Sequence, residues 1–157
     1  MQKGTIVRNS TKHAGRLAAV AALVFGGALT GAAAHADAGD ITPCGNTAKA
    51  CVDLSSKQAW LQSGGTGYYG PVPITSGKPG ADTPVGTFKV QWKDADHRSG
   101  EFDQAPMPNA VFFTNTGVAF HEGSLQQESN GCVHLSTTAS KRFFDELNPG
   151  DEVQVVQ

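Results

Sequence analysis

Past residue 36, apolar positions in this chain fall into short alternating runs: Ala50–Leu54, Gln58–Gln62, Tyr68–Thr75, Gly86–Lys93, Ala110–Asn115, Val118–His121, Cys132–Leu135 and Val153–Val156. Gly, Pro, Asn or Ser clusters bound these runs, the pattern of half-buried strands separated by turns. Ser63-Gly64-Gly65-Thr66-Gly67 reads as a hairpin loop between two of them. Only one segment has helical spacing. Ala139, Phe143, Phe144 and Leu147 make its apolar stripe, Ser136 or Thr137 can cap it, and Asn148-Pro149-Gly150 stops it. The charged stretch Lys93–Gln104 breaks the alternation and predicts an exposed loop. The pattern therefore predicts a mainly β domain with one C-terminal α-helix.

Residues 1–36 follow a different rule. Lys3, Arg8, Lys12 and Arg16 form a basic start without an acid, the run from Leu17 to Ala34 is apolar, and Ala34-His35-Ala36 supplies a small-x-small cleavage pattern. This is the layout of a secretory signal peptide. Gly26, Gly27, Thr30 and Gly31 dilute the run, which weakens the alternative of a membrane anchor. Residues 37–48 read as a short polar leader before the domain.

Removing 36 of the 157 residues leaves 121. Four of the 12 basic residues go with them and all 14 acids stay, so the formal charge moves from -2 to -6. An acidic chain of this kind has no basic footprint for nucleic acid. Its 19 glycines and 8 prolines, with 17% charged residues, also argue against a helical bundle. The length suits one domain, and a monomer is expected.

Three cysteines are an odd set for an exported chain. Cys44 and Cys51 stand close enough in sequence to close a small loop, and the oxidising compartment favours a disulfide between them. Cys132 is then left without a partner, in Ser129-Asn130-Gly131-Cys132-Val133-His134. A free thiol ionises near pH 8.5 and needs a neighbouring imidazole to act as a nucleophile at neutral pH. Two imidazoles qualify. In an extended segment His134 shares a face with Cys132, while His121 ends the preceding strand and reaches the same place across a loop. The residues alone do not choose between them. A zinc site built from Cys132, His134 and His121 is a competing reading, although no fourth ligand is evident.

The segment His121-Glu122-Gly123, the motif Ser129-Asn130-Gly131-Cys132-Val133-His134-Leu135, the turn Gly77-Lys78-Pro79-Gly80 and the run Thr83-Pro84-Val85-Gly86-Thr87-Phe88 together resemble the L,D-transpeptidase (YkuD-like) catalytic domain. The resemblance runs from about Ala50 to Val156 and implies an L,D-transpeptidase-type β-sandwich over residues 49–157. It implies Cys132 as nucleophile, His121 as proton acceptor and donor, the Glu122 carbonyl as the group that orients the ring, and the Gly131 and Cys132 amides as oxyanion donors. Ser129, Asn130, His134 and, in Pro106-Met107-Pro108, Met107 fall where the family contacts substrate. Asn130 replaces the family's usual histidine, and the spacing from His121 to Cys132 is shorter than the commonest one. Trp60, Trp92, Phe112 and Phe113 lie in predicted strands and are expected to serve packing.

The activity implied is formation of 3→3 cross-links in peptidoglycan through a cysteinyl thioester with a tetrapeptide stem, supporting cell-wall organisation and cell shape in the bacterial envelope. Donor and acceptor stem peptides are the implied partners and carbapenem-type β-lactams the implied inhibitors. No metal and no cofactor is called for. Two alternatives stay within the fold: a catalytically impaired wall-binding domain, suggested by Asn130, and an L,D-carboxypeptidase that uses water as acceptor.

Overall fold

In the computed structural model, residues 40–157 are described. The export segment expected at 1–36 and the start of the leader lie outside them. Among the described residues nine strands form: β1 (Ala50–Asp53), β2 (Gln58–Ser63), β3 (Thr66–Pro73), β4 (Gly86–Lys89), β5 (Trp92–Arg98), β6 (Pro106–Phe112), β7 (Ala119–Glu122), β8 (Val133–Leu135) and β9 (Glu152–Val156). The helix α1 (Thr137–Glu146) precedes β9. The first sheet has the order β3-β2-β1-β9-β4 and the second β5-β6-β7-β8. β1 and β9 are parallel, as are β7 and β8; the other pairings are antiparallel.

Alternation along the strands builds one core between the sheets. Ala50, Val52, Leu61, Val153 and Val155 meet Val111, Phe113, Phe120, Val133 and Leu135 there, with Ala139, Phe143 and Leu147 from the helix. Phe143 lies 5.1 Å from Phe120 and 6.3 Å from Tyr69, ring centre to ring centre, so the helix stripe touches both layers. Ser136 is the cap: its hydroxyl accepts from the Ala139 amide at 3.2 Å.

From Asp40 onward the leader is tied to the first sheet. The Gly67 amide donates to Asp40 O at 2.8 Å, and Thr42 Oγ1 donates to the buried Gln62 side chain. Cys44 is bonded to Cys51, as expected. Cys51 points away from the main core, because its neighbours Ala50 and Val52 point into it. Cys44, Cys51, Ala48 and Trp60 make a small second core on that outer face.

The charged stretch expected as a loop departs from expectation. Trp92–Arg98 is β5, paired along its length with β6. It is a sheet edge, where charged side chains are the usual protection against further pairing, so polarity here marks an edge and not a loop. Lys93 fixes its position by donating to Phe144 O and Leu147 O at the helix C-terminus, both at 2.6 Å, where a cation suits the helix dipole. Only the turn from Ser99 to Ala105 remains irregular. The expected strand Gly86–Lys93 is accordingly split, with the chain crossing between sheets at Val90 and Gln91.

Candidate active site

β7 and β8 lie side by side with His121 opposite His134. Phe120, Val133 and Leu135 occupy the core, so Ala119, His121, Cys132 and His134 fall on the outer face of the second sheet. Parallel pairing across a short loop brings the sequence-predicted histidine and cysteine together. Cys132, His121, His134, Met107 and Asn130 all line one cavity of about 320 Å³. Cys132 also lines a second cavity of about 310 Å³, walled by Trp92, Phe102 and Phe112.

The loop that carries Cys132 is held by its own backbone. Ser129 Oγ donates to Cys132 O at 2.6 Å and accepts from the Gly131 amide at 3.0 Å. Gly131 has φ 115°, a conformation that side chains rarely tolerate. Its carbonyl accepts from Thr83 Oγ1 at 2.8 Å, and the same hydroxyl accepts from the Gly77 amide at 2.9 Å. Gly77 must be glycine, because a Cβ there would lie 2.1 Å from Ala81 O. The Gly77–Gly80 turn and Thr83 thus act as a clamp on the cysteine loop. These residues stand out in the sequence as a motif, but the clamp does not, because it depends on which loops meet.

His121 is buried, and its Nδ1–H donates to Glu122 O at 2.7 Å. That bond fixes the tautomer and leaves Nε2 as the acceptor. Burial lowers its pKa from 6.5 to about 4; the Glu122 carbonyl opposes the shift, while His134 and His97 add to it. Burial also raises the pKa of Cys132, against a lowering contribution from the Ala119 backbone and with a further rise from Glu101. Both shifts favour the uncharged forms, so at neutral pH the pair rests as thiol and imidazole. The thiol contacts Gly117 O at 3.9 Å.

The remaining site residues divide between the cavity wall and the interior of the loop. His134 Nδ1 bonds to Ser124 O at 3.1 Å and lies 3.2 Å from Thr75 Oγ1, and its ring meets that of His121 edge-on at 4.8 Å. Ser129 is buried and its hydroxyl is fully engaged within the loop. The Gly131 amide, expected to face an oxyanion, is likewise taken by Ser129. Asn130 is exposed and borders both cavities. Met107 is buried and borders both. Trp92, expected to pack, is 44% exposed: it stacks on Phe112 at 3.9 Å and turns its free surface to the second cavity. Among the described residues, no three or more His, Cys, Asp or Glu side chains are grouped to hold a metal ion.

A family profile described as the L,D-transpeptidase catalytic domain (YkuD) matches residues 47–155. Several solved structures share the fold. An L,D-transpeptidase (Yku) from Stackebrandtia nassauensis is 28% identical with TM-score 0.65, and the match covers 80% of this chain and 62% of that one. An LD transpeptidase, LdtMt1, in complex with imipenem is 23% identical with TM-score 0.62, covering 68% and 57%. L,D-transpeptidase 3 from Mycobacterium tuberculosis, carrying a faropenem-derived adduct, is 21% identical with TM-score 0.60, covering 69% and 59%. The matches thus span about three-fifths of the length of those proteins. No sequence among the curated proteins matches.

Proposed function

Because this chain belongs to the family of the L,D-transpeptidase catalytic domain (YkuD), we propose that it is an exported peptidoglycan L,D-transpeptidase that forms 3→3 cross-links through a thioester on Cys132. The observation that carries this reading is the uncharged Cys132–His121 pair on one cavity wall, with the imidazole pinned by the Glu122 carbonyl. A pinned, neutral imidazole is suited to accept a proton at the moment of attack.

The proposed reaction has two halves. Cys132 Sγ attacks the carbonyl of the diamino acid, at the peptide bond that joins it to the terminal D-alanine of a tetrapeptide stem, and its proton passes to His121 Nε2. The Cys132 amide receives the oxyanion, since the Gly131 amide is engaged with Ser129. His121 then protonates the departing D-alanine amine, leaving the thioester. A side-chain amine of a second stem attacks that thioester, His121 takes its proton, and the thiol is restored as the new amide forms. Thiol, imidazole and backbone amide together supply nucleophile, acid–base and oxyanion chemistry.

We further propose that residues 1–36 direct export and are removed, and that the domain acts at the cell wall in maintaining cell shape. β-Lactams of the carbapenem type are proposed to acylate Cys132, a reading supported by related structures that hold imipenem or a faropenem-derived adduct. The test is incubation of the protein with disaccharide-tetrapeptide and separation of the muropeptides. Dimers linked 3→3 are expected. Trimmed tripeptides alone would show water to be the acceptor, and unchanged substrate with folded protein would overturn the enzymatic reading.

A further inference from the structure

The second cavity beside Cys132 has a composition that the acylation half-reaction does not use. Its wall carries two of the five exposed large apolar side chains among the described residues, Trp92 at 44% and Phe102 at 48%. Phe112 stacks under Trp92, and His97 meets both rings edge-on at 5.3 and 4.9 Å. Glu101 stands on the same wall, and its carboxylate makes no hydrogen bond or ion pair among the described residues. Ser99, buried beneath, accepts from the Glu101 and Phe102 amides at 3.3 and 3.1 Å, which sets both side chains at the rim.

Aromatic faces beside an unpaired carboxylate select one kind of guest: an aliphatic chain that ends in an ammonium. The apolar stem covers the rings and the cation meets the aromatic wall and the carboxylate; water can hydrogen-bond the carboxylate but gains nothing from the rings, and an anion is repelled. We propose that Glu101, with Trp92 and Phe102, forms the specificity site that admits a primary ammonium as acceptor and so favours aminolysis of the Cys132 thioester over its hydrolysis. This rests on the transpeptidase reading above and names the acceptor-selecting residues of that site.

The step balances as follows. The bound ammonium releases one proton to solvent and becomes the free amine. Its nitrogen attacks the thioester carbonyl, the C–S bond breaks as the C–N bond forms, and the second proton passes through His121 to Cys132 sulfur. The products are an amide, a restored thiol and one released proton. Glu101 takes no part in bond making; it holds the cation at the entrance.

The experiment separates the two half-reactions. Cys132 acylation by a tetrapeptide stem is followed by intact mass, and the acyl-enzyme is then divided between water and a tripeptide-stem acceptor bearing a side-chain amine. Glu101→Gln is expected to leave acylation within about twofold and to lower the aminolysis-to-hydrolysis ratio by about tenfold, the loss typical of one charge-assisted contact. Trp92→Ala is expected to act in the same direction, and Glu101→Asp to retain part of the ratio. An unchanged ratio in Glu101→Gln, or an equal fall in acylation and aminolysis, overturns the proposal while leaving the transpeptidase reading intact. Absence of any Cys132 acylation in the unaltered protein overturns both.

Discussion

Each sheet of this sandwich carries a cysteine on its outer face, and the two faces are finished in opposite ways. On the first sheet, Cys51 is bonded to Cys44 and sealed under Ala48 and Trp60, so that face is closed by the chain's own leader. On the second, Cys132 is free, half-buried beside Met107, Ala110, Phe112 and Ala119, and opens onto two cavities. The strands beneath are alike in alternation, and both inner faces feed one core. The difference therefore lies in what is laid over each face: a covalent clasp in one case, a clamped loop and a buried imidazole in the other.

The sharpest way to break this contrast is at His121. Replacement by Gln should slow acylation of Cys132 by about 10²- to 10⁴-fold, the range for loss of a general base, with the fold retained. Stopped-flow acylation by imipenem measures it; an unchanged rate would transfer the base role to His134. The complementary change is on the closed face. Cys44→Ser with Cys51→Ser should cost about 2–3 kcal/mol of unfolding free energy by loop entropy. Denaturant melts measure that cost, and the folded protein should still acylate at the same rate. A large loss of rate without a stability change would mean that the two faces are not separate.

Thr83→Val tests the clamp. It leaves the buried Gly131 carbonyl and Gly77 amide unpaired, at a cost of about 1–3 kcal/mol. Acylation should slow more than in the disulfide variant at equal stability, since the bonds lost are those that hold the cysteine loop.

The effect of pH is expected to be small near neutrality and to grow only towards the extremes. His121 is near pKa 4 when folded and 6.5 when free, so between these values the unfolded chain binds the extra proton. Its contribution to stability is full above about pH 6.5 and is lost as the pH falls towards 4. Cys132 is shifted upward from 9.0, so its contribution is lost above pH 9 as the unfolded thiol ionises first. Acylation should hold through neutral pH and fall near pH 4, where His121 gains its proton. A fall centred near pH 6.5 would show an imidazole exposed to solvent.

Most of the strand pattern and the helix were legible in the sequence, because alternation and the Ala139–Phe143–Leu147 stripe report burial directly. The Cys44–Cys51 bond was legible from its spacing and from the expectation of export. β5 was not, since an edge strand hides under its charges and is anchored by Lys93 on a helix end fifty residues away in the chain. Cys132 and His121 stood out by residue type and resemblance. The roles of Thr83, Ser129 and Trp92 did not, because each depends on tertiary neighbours: a hydroxyl between two loops, a hydroxyl closed on its own turn, and an indole stacked at a cavity rim. Local pattern reports which way a side chain faces, not what meets it there.

The open face is proposed to make Cys132 the acceptor of an acyl group. Intact-mass analysis of the protein with a tetrapeptide stem tests it most directly, with Cys132→Ala as control. Release of D-alanine and a mass gain equal to the remaining acyl-tripeptide on Cys132 are expected, both absent in the variant. Folded protein that gains no mass, or gains it equally in Cys132→Ala, would contradict it.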